Sequence, residues 1–215
     1  MTSNINFHPI PQSQQATVEN FKASIGRYVD TNRVDSIKAS HKAQLEAIRK
    51  DPRLTAEGKR SELAKAHVAS RDQMNELRTQ FKTGLAADKL RIQRRLFGSV
   101  TADPTDIVSA RDAHERASRI SSQQDAITLL ERAQITGDTA LSRAIFHQAA
   151  RHNWNEAITT HAETSPGAAD GLKELRDLPE GDMTENLAFA LPLPNEFVGM
   201  TAKGVDAELR KYADE

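Results

Sequence analysis

The chain contains no cysteine. Disulfide staples, thiolate metal ligands and a cysteine nucleophile are excluded together, and nothing ties the fold to an oxidising compartment. Aromatic residues make up only 5% of the 215 residues, with a single Trp. That is lean for one thick core, and it leaves no row of rings on which a single strand of nucleic acid could stack. The ten glycines stand singly, which excludes a glycine-rich phosphate loop, a nucleophile elbow and a dinucleotide fingerprint. No apolar run approaches the ~18 to 20 residues that span a bilayer, and residues 1–15 have neither the basic nor the apolar region of a secretory signal. The expectation is a soluble chain with no membrane partner and no signal-directed secretion.

The ionisable residues offer no chemistry of familiar spacing. Of the seven histidines, His147, His152 and His161 form no i,i+4 pair around a Glu and no zinc spacing. Acid pairs such as Asp103 with Asp106, or Glu180 with Asp182, are accounted for by helix caps and turns. No catalytic, cofactor-binding or metal-binding residue is expected, and the chain is read as a non-enzyme.

What the chain does have is charge sorted by position. Residues 1–100 hold 18 Lys and Arg against 10 Asp and Glu, residues 101–215 hold 11 against 20, and the net charge of −1 is thus a basic half at +8 joined to an acidic half at −9. Halves of opposite sign predict head-to-tail association that weakens with salt.

The basic half, residues 16–97, reads as a long antiparallel helical hairpin. Val18, Phe21, Ile25, Tyr28, Val29, Val34, Ile37, Leu45 and Ile48 fall mostly three or four apart, one narrow apolar stripe from about Ala16 to Lys50. Pro52 disfavours helix at Asp51, and Thr55 with Glu57 can open a second helix. That helix is expected over Ala56 to Phe97, roughly 60 Å at ~1.5 Å per residue, with Leu63, Met74, Leu77, Phe81, Leu85, Ile92 and Leu96 on one stripe. His67, Ser70 and Asp88 interrupt the stripe, and Gly58 and Gly84 are its weak points. Lys89, Arg91, Arg94 and Arg95 cluster near its end. They could meet phosphates, although basic residues at a helix C-terminus also answer the macrodipole, and nucleic acid is the less favoured partner.

The acidic half, residues 103–178, reads as a bundle of shorter helices beyond a joint at Gly98 to Ala102. Asp103-Pro104-Thr105-Asp106 supplies a cap, a first-turn proline and an acid. Similar starts are expected at Ser122 with Asp125, at Asn153 with Glu156 and at Ser165-Pro166, while Gly137 ends one helix before Asp138 and Thr139 open the next. Ile107, Ala110, His114, Ala117 and Ile120 are the expected inner face of the first of these helices. Leu129, Leu130, Ala133, Gly137, Phe146 and Ala149 resemble a single tetratricopeptide unit. Trp154 stands where that family often carries Pro, and no second copy follows at the ~34-residue period.

Two terminal segments carry apolar anchors. Residues 1–15, with Phe7 and Ile10 among Pro9, Pro11 and polar residues, are expected to be an extended arm that orders on binding. Residues 179–215 are expected to be an extended apolar strap, since Pro192 and Pro194 prevent a continuous helix, followed by a short terminal helix with Val205, Leu209 and Tyr212. Leu187, Phe189, Leu191, Leu193, Phe197 and Val198 either lie across the chain's own helices or dock on a neighbour.

The stretch Asp51-Pro52-Arg53-Leu54-Thr55-Ala56-Glu57-Gly58-Lys59-Arg60 with the basic, Ala-rich helix after it, and the stretch Leu129 to Ile158, resemble uncharacterised all-α structural-operon proteins of tailed bacteriophages of actinobacteria. The resemblance implies a role in the virion or its assembly near head, neck or tail, with other virion proteins or copies of the chain as partners, a location in the virion or host cytoplasm, and no catalytic residues. The alternative reading of the residues is a cytosolic helical adaptor or nucleic-acid-binding accessory protein.

Overall fold

Asp51-Pro52 and the Thr55 cap turn the chain between its first two long helices. The computed structural model describes residues 21, 23–98, 101–179, 182–197 and 209–212, and among them there is helix but no strand. In order these are α1 (Thr31–Lys50), α2 (Ala56–Phe97), α3 (Pro104–Ser118), α4 (Gln123–Thr136), α5 (Thr139–His152), α6 (Asn155–Thr164), α7 (Ala168–Arg176), α8 (Asp182–Phe189) and a 3-10 turn over Asn195–Phe197. No helix among the described residues is long and apolar enough to cross a membrane. The candidate contacts Phe7, Ile10 and Val198 lie outside the described residues, as do Val18 and Val205.

The chain divides into two packed units, residues 1–85 with 179–215, and residues 86–178. The division falls within α2, earlier than the joint at 98–102, because the last turns of that helix pack with the shorter helices. In the first unit the single helix expected over 16–50 is broken. A turn after Ile25, whose carbonyl accepts the N–H groups of Tyr28 (2.8 Å) and Val29 (3.1 Å), precedes Asp30, which caps α1 by accepting from Asn32 N–H at 2.9 Å. At the other end Asp51 is extended, and its carboxylate accepts from the Arg53 backbone at 2.9 Å and guanidinium at 2.7 and 2.9 Å, bonds that hold its pKa down at about 2. Thr55 Oγ1 then accepts from Gly58 N–H at 3.1 Å to start α2.

Helices α1 and α2 pack antiparallel. Val34 and Ile37 share a core with Met74, Leu77 and Phe81, His41 meets His67, and Leu45 shares a second core with Leu63. Position Gly84 is also a close approach: a Cβ there would come within 2.9 Å of the Tyr28 ring. The C-terminal segment returns onto this pair. Its first part is helical rather than extended, since Pro192 and Pro194 lie beyond the end of α8 and do not oppose it. Ala188 and Phe189 enter the core around Phe81, and Phe197 and Leu209 enter the core around Leu63. Charge pairs accompany them: Arg78 Nε donates to Glu185 at 2.6 Å, Lys82 Nζ lies 3.2 Å from the same carboxylate, and Arg49 grips Glu196 through two bonds of 2.8 and 2.9 Å.

The second unit is built by caps. Asp103 accepts from Thr105 N–H at 2.8 Å ahead of Pro104, Ser122 accepts from Asp125 N–H at 3.1 Å, and Asp138 accepts from Leu141 N–H at 2.9 Å just after Gly137 has closed α4 in the left-handed region at φ 69°. Two expected starts differ. Asn153 ends α5 at φ 56° rather than opening α6, and α7 starts from Gly167 with no side-chain cap rather than from Ser165. Small residues let α3, α4 and α5 approach, with Ala113, Ala117, Ala126, Ala133, Ala144 and Ala149 around Leu130 and Ile145. Ile107, expected on the inner face of α3, is exposed.

The packing redistributes charge. Lys and Arg against Asp and Glu are 17 to 17 in the first unit and 12 to 13 in the second. The basic and acidic halves of the sequence are therefore not the two bodies of the molecule, because eight acids of residues 179–215 join the basic hairpin.

Candidate functional site

The sequence-derived contacts separate into used and unused groups. Phe189 and Phe197 are buried, and Leu191 and Leu193 pack partly buried against the hairpin cores, while Leu187 is exposed. Of the basic cluster, Arg91 bonds to Asp88 at 3.1 Å and reaches Glu174 at 3.5 Å, and Arg95 also pairs with Glu174. The hydrogen bond from Arg95 is the main cause holding the Glu174 carboxyl below its ordinary range. Lys89 and Arg94 are exposed. The structure thus assembles no row of free cations from these four residues.

A cleft of about 830 Å³ lies in the second unit between the α4–α5 turn, the α6–α7 turn and the end of α2. That volume falls in the range of small-molecule sites, ~300 to 1,000 Å³. Its polar floor is a pair: Ser142 Oγ lies 3.0 Å from His161 Nδ1, and both residues are buried. The His161 ring stacks on Phe146 with centroids 4.4 Å apart at 17°. Burial, with a smaller push from the Arg143 charge, lowers its pKa to about 4. It is neutral at neutral pH, and a base that titrates so low is a weak acceptor for a serine proton.

Arg143 enters from α5 and donates to the Leu96 carbonyl at 3.2 Å and to that of Arg95, so it caps the C-terminus of α2. Burial pulls its pKa down. The helix α7 crosses close by, since a Cβ on Gly171 would come within 2.5 Å of Leu96. At the rim Asp138 is spent on its cap and on Arg116 at 3.7 Å, and Glu174 on Arg95. Most of these hydrogen-bonding groups hold the cleft's own walls. Among the described residues no group of three or more His, Asp or Glu is placed to hold a metal ion.

Arg95 is the one sequence-derived candidate in this cleft. Ser142, Arg143 and His161 were not legible as a set, because α5 and α6 bring Ser142 and His161 together across nineteen positions. No protein-family model, curated protein or solved structure matches the chain.

Proposed function

We propose that the chain is a non-enzymatic structural or assembly protein of a tailed-phage virion, associated with head, neck or tail and acting through helical protein–protein contacts with copies of itself and other virion proteins. The resemblance of residues 51–60 and 129–158 supports the virion setting. The observation that carries the contact reading is where free apolar surface lies. Among the described residues four large apolar side chains of the second unit are exposed, Leu90, Ile107, Val108 at 63% and Ile135 at 85%, whereas most described apolar residues of the first unit's strap pack on its own hairpin. An exposed apolar side chain of this size gains free energy when a partner covers it.

Because each unit is close to neutral, the contact is apolar and not a head-to-tail attraction of opposite charges. Salt screens exposed charge pairs but leaves apolar burial in place. Light scattering coupled to size exclusion is expected to find discrete multimers at low and high salt alike, and the double variant Val108→Asp with Ile135→Asp is expected to be monomeric. A wild-type monomer at every salt and concentration, or multimers indifferent to the two aspartates, contradicts the reading. A nucleic-acid role is less supported, since Glu174 already answers Arg91 and Arg95.

A further inference from the structure

Arg143 brings a positive charge to the wall of the second unit's cleft with no carboxylate to answer it. Its Nε donates to the Leu96 carbonyl at 3.2 Å and its Nη2 to the Arg95 carbonyl, and among the described residues it forms no ion pair. A guanidinium has five N–H donors, so two bonds to carbonyls leave three, all on the Nη1–Nη2 edge. That planar edge matches the two oxygens of a carboxylate. The C-terminal dipole of α2 offsets about half of the charge. Burial pulls the Arg143 pKa down, as befits a cation short of both water and a counter-ion.

His161 lines the same cleft, near enough for the Arg143 charge to act on it. The ring is 3% exposed and its Nδ1 is held by Ser142, while its Nε2 has no hydrogen-bond partner among the described residues and is not sealed from solvent. That nitrogen therefore opens on the cleft. Burial, helped by Arg143, keeps the ring neutral at neutral pH. With the Ser142 hydroxyl donating to Nδ1, Nε2 carries the proton and is an uncharged donor. The other titratable groups of the cleft are Arg95, Asp138, Asp170 and Glu174. Arg95 and Glu174 pair with each other, Asp138 caps α5 and faces Arg116, and Asp170 is exposed at the rim. Asp170 repels a doubly charged anion such as phosphate twice as strongly as a singly charged one.

We propose that the cleft binds a small organic carboxylate carried on an apolar body, its oxygens on the open edge of Arg143 and on His161 Nε2–H and its body against Leu96, Ala133 and Ala168. Those three apolar residues are buried and line the cleft. The charge-assisted bonds fix the carboxylate, and covering the apolar wall adds to the affinity. The site is complete within one chain, so it stands apart from the apolar contact between copies.

Fluorine NMR of para-fluorobenzoate with the full chain at neutral pH tests the site. The same titration with para-fluorobenzamide keeps the body and removes the charge, and inorganic phosphate supplies an anion without the body. The benzoate signal is expected to broaden saturably with a Kd on the order of 1 mM, about tenfold tighter than the amide. Phosphate at matched concentration is expected not to displace it. Arg143→Gln is expected to weaken binding about tenfold, and Asp170→Asn, which removes the like charge at the rim, to tighten it about twofold. Arg143 also caps α2, so its variant is read where Trp154 fluorescence shows the second unit folded. Asp170→Asn leaves that cap untouched, and unchanged or weaker binding in it overturns the assignment to this cleft. The proposal also fails if no saturable broadening is found, if the amide binds as well as the acid, if phosphate displaces it, or if folded Arg143→Gln binds like wild type.

Discussion

Phe81→Ala is expected to cost the first unit about 3–5 kcal/mol and to leave the second unit folded. The ring is 1% exposed and is met by three others, Phe21 at 5.9 Å, Tyr28 at 5.8 Å and Phe189 at 5.8 Å between centroids, the first two edge-on. Truncation removes the buried apolar area and the edge contacts together. It also leaves a void bordered by stiff rings that cannot collapse into it, which places the cost toward the upper end for a Phe-to-Ala change. Against the ~5–15 kcal/mol of an ordinary domain, that brings the unit close to unfolding. The single Trp, Trp154, lies in the second unit and packs against its core. Trp fluorescence during urea unfolding therefore follows the second unit, while hydrogen exchange over residues 31–85 follows the first. A loss under about 1 kcal/mol, well below the range for a buried Phe, would mean that the ring is not the keystone of this core.

The second unit is expected to lose up to about 3 kcal/mol of stability as pH falls from about 6.5 to about 4, because His161 is held neutral. In the unfolded chain an imidazole takes a proton near pH 6.5. In the fold, burial lowers that value to about 4. Between the two, the unfolded form binds a proton that the native form does not, and the balance moves toward unfolding. His147, lowered by burial and by the charges of His114 and Arg151, acts in the same direction. His161→Leu is expected to flatten this slope and, since Ser142 loses its buried partner, to be less stable than wild type at neutral pH. Trp fluorescence denaturation curves across the pH range measure both effects, and an unchanged slope in the variant would place the acid sensitivity elsewhere.

The helices were legible where backbone chemistry is local. Asp103-Pro104, Ser122 with Asp125, and Gly137 followed by Asp138 mark ends that follow from caps, a first-turn proline and a left-handed glycine. Helix α8 was not, because two prolines near an apolar cluster read as extended chain when they only limit where the helix stops. The charge pattern misled for a different reason. Order along the chain is not order in space, and residues 179–215 bring Glu185 back to Arg78 and Lys82, and Glu196 back to Arg49. The His41–His67 pair was within reach. His41 continues the spacing of Val34, Ile37 and Leu45, and His67 that of Leu63 and Met74, so counting outward equally from Leu54 sets the two opposite each other. The Ser142–His161 pair left no such trace, since its register depends on how α5 and α6 pack.

The C-terminal segment closes on the hairpin of its own chain, and a zero-length carbodiimide crosslink tests that directly. Lys82 Nζ and a Glu185 carboxylate oxygen are 3.2 Å apart, close enough to join as an amide with no spacer. Mass spectrometry of crosslinked protein, mixed beforehand from unlabelled and isotope-labelled chains, is expected to show a Lys82–Glu185 amide confined to like-labelled pairs. A crosslink found between labelled and unlabelled chains, or none at these residues while other close Lys–Glu pairs react, would contradict the return of the strap and with it the neutral first unit.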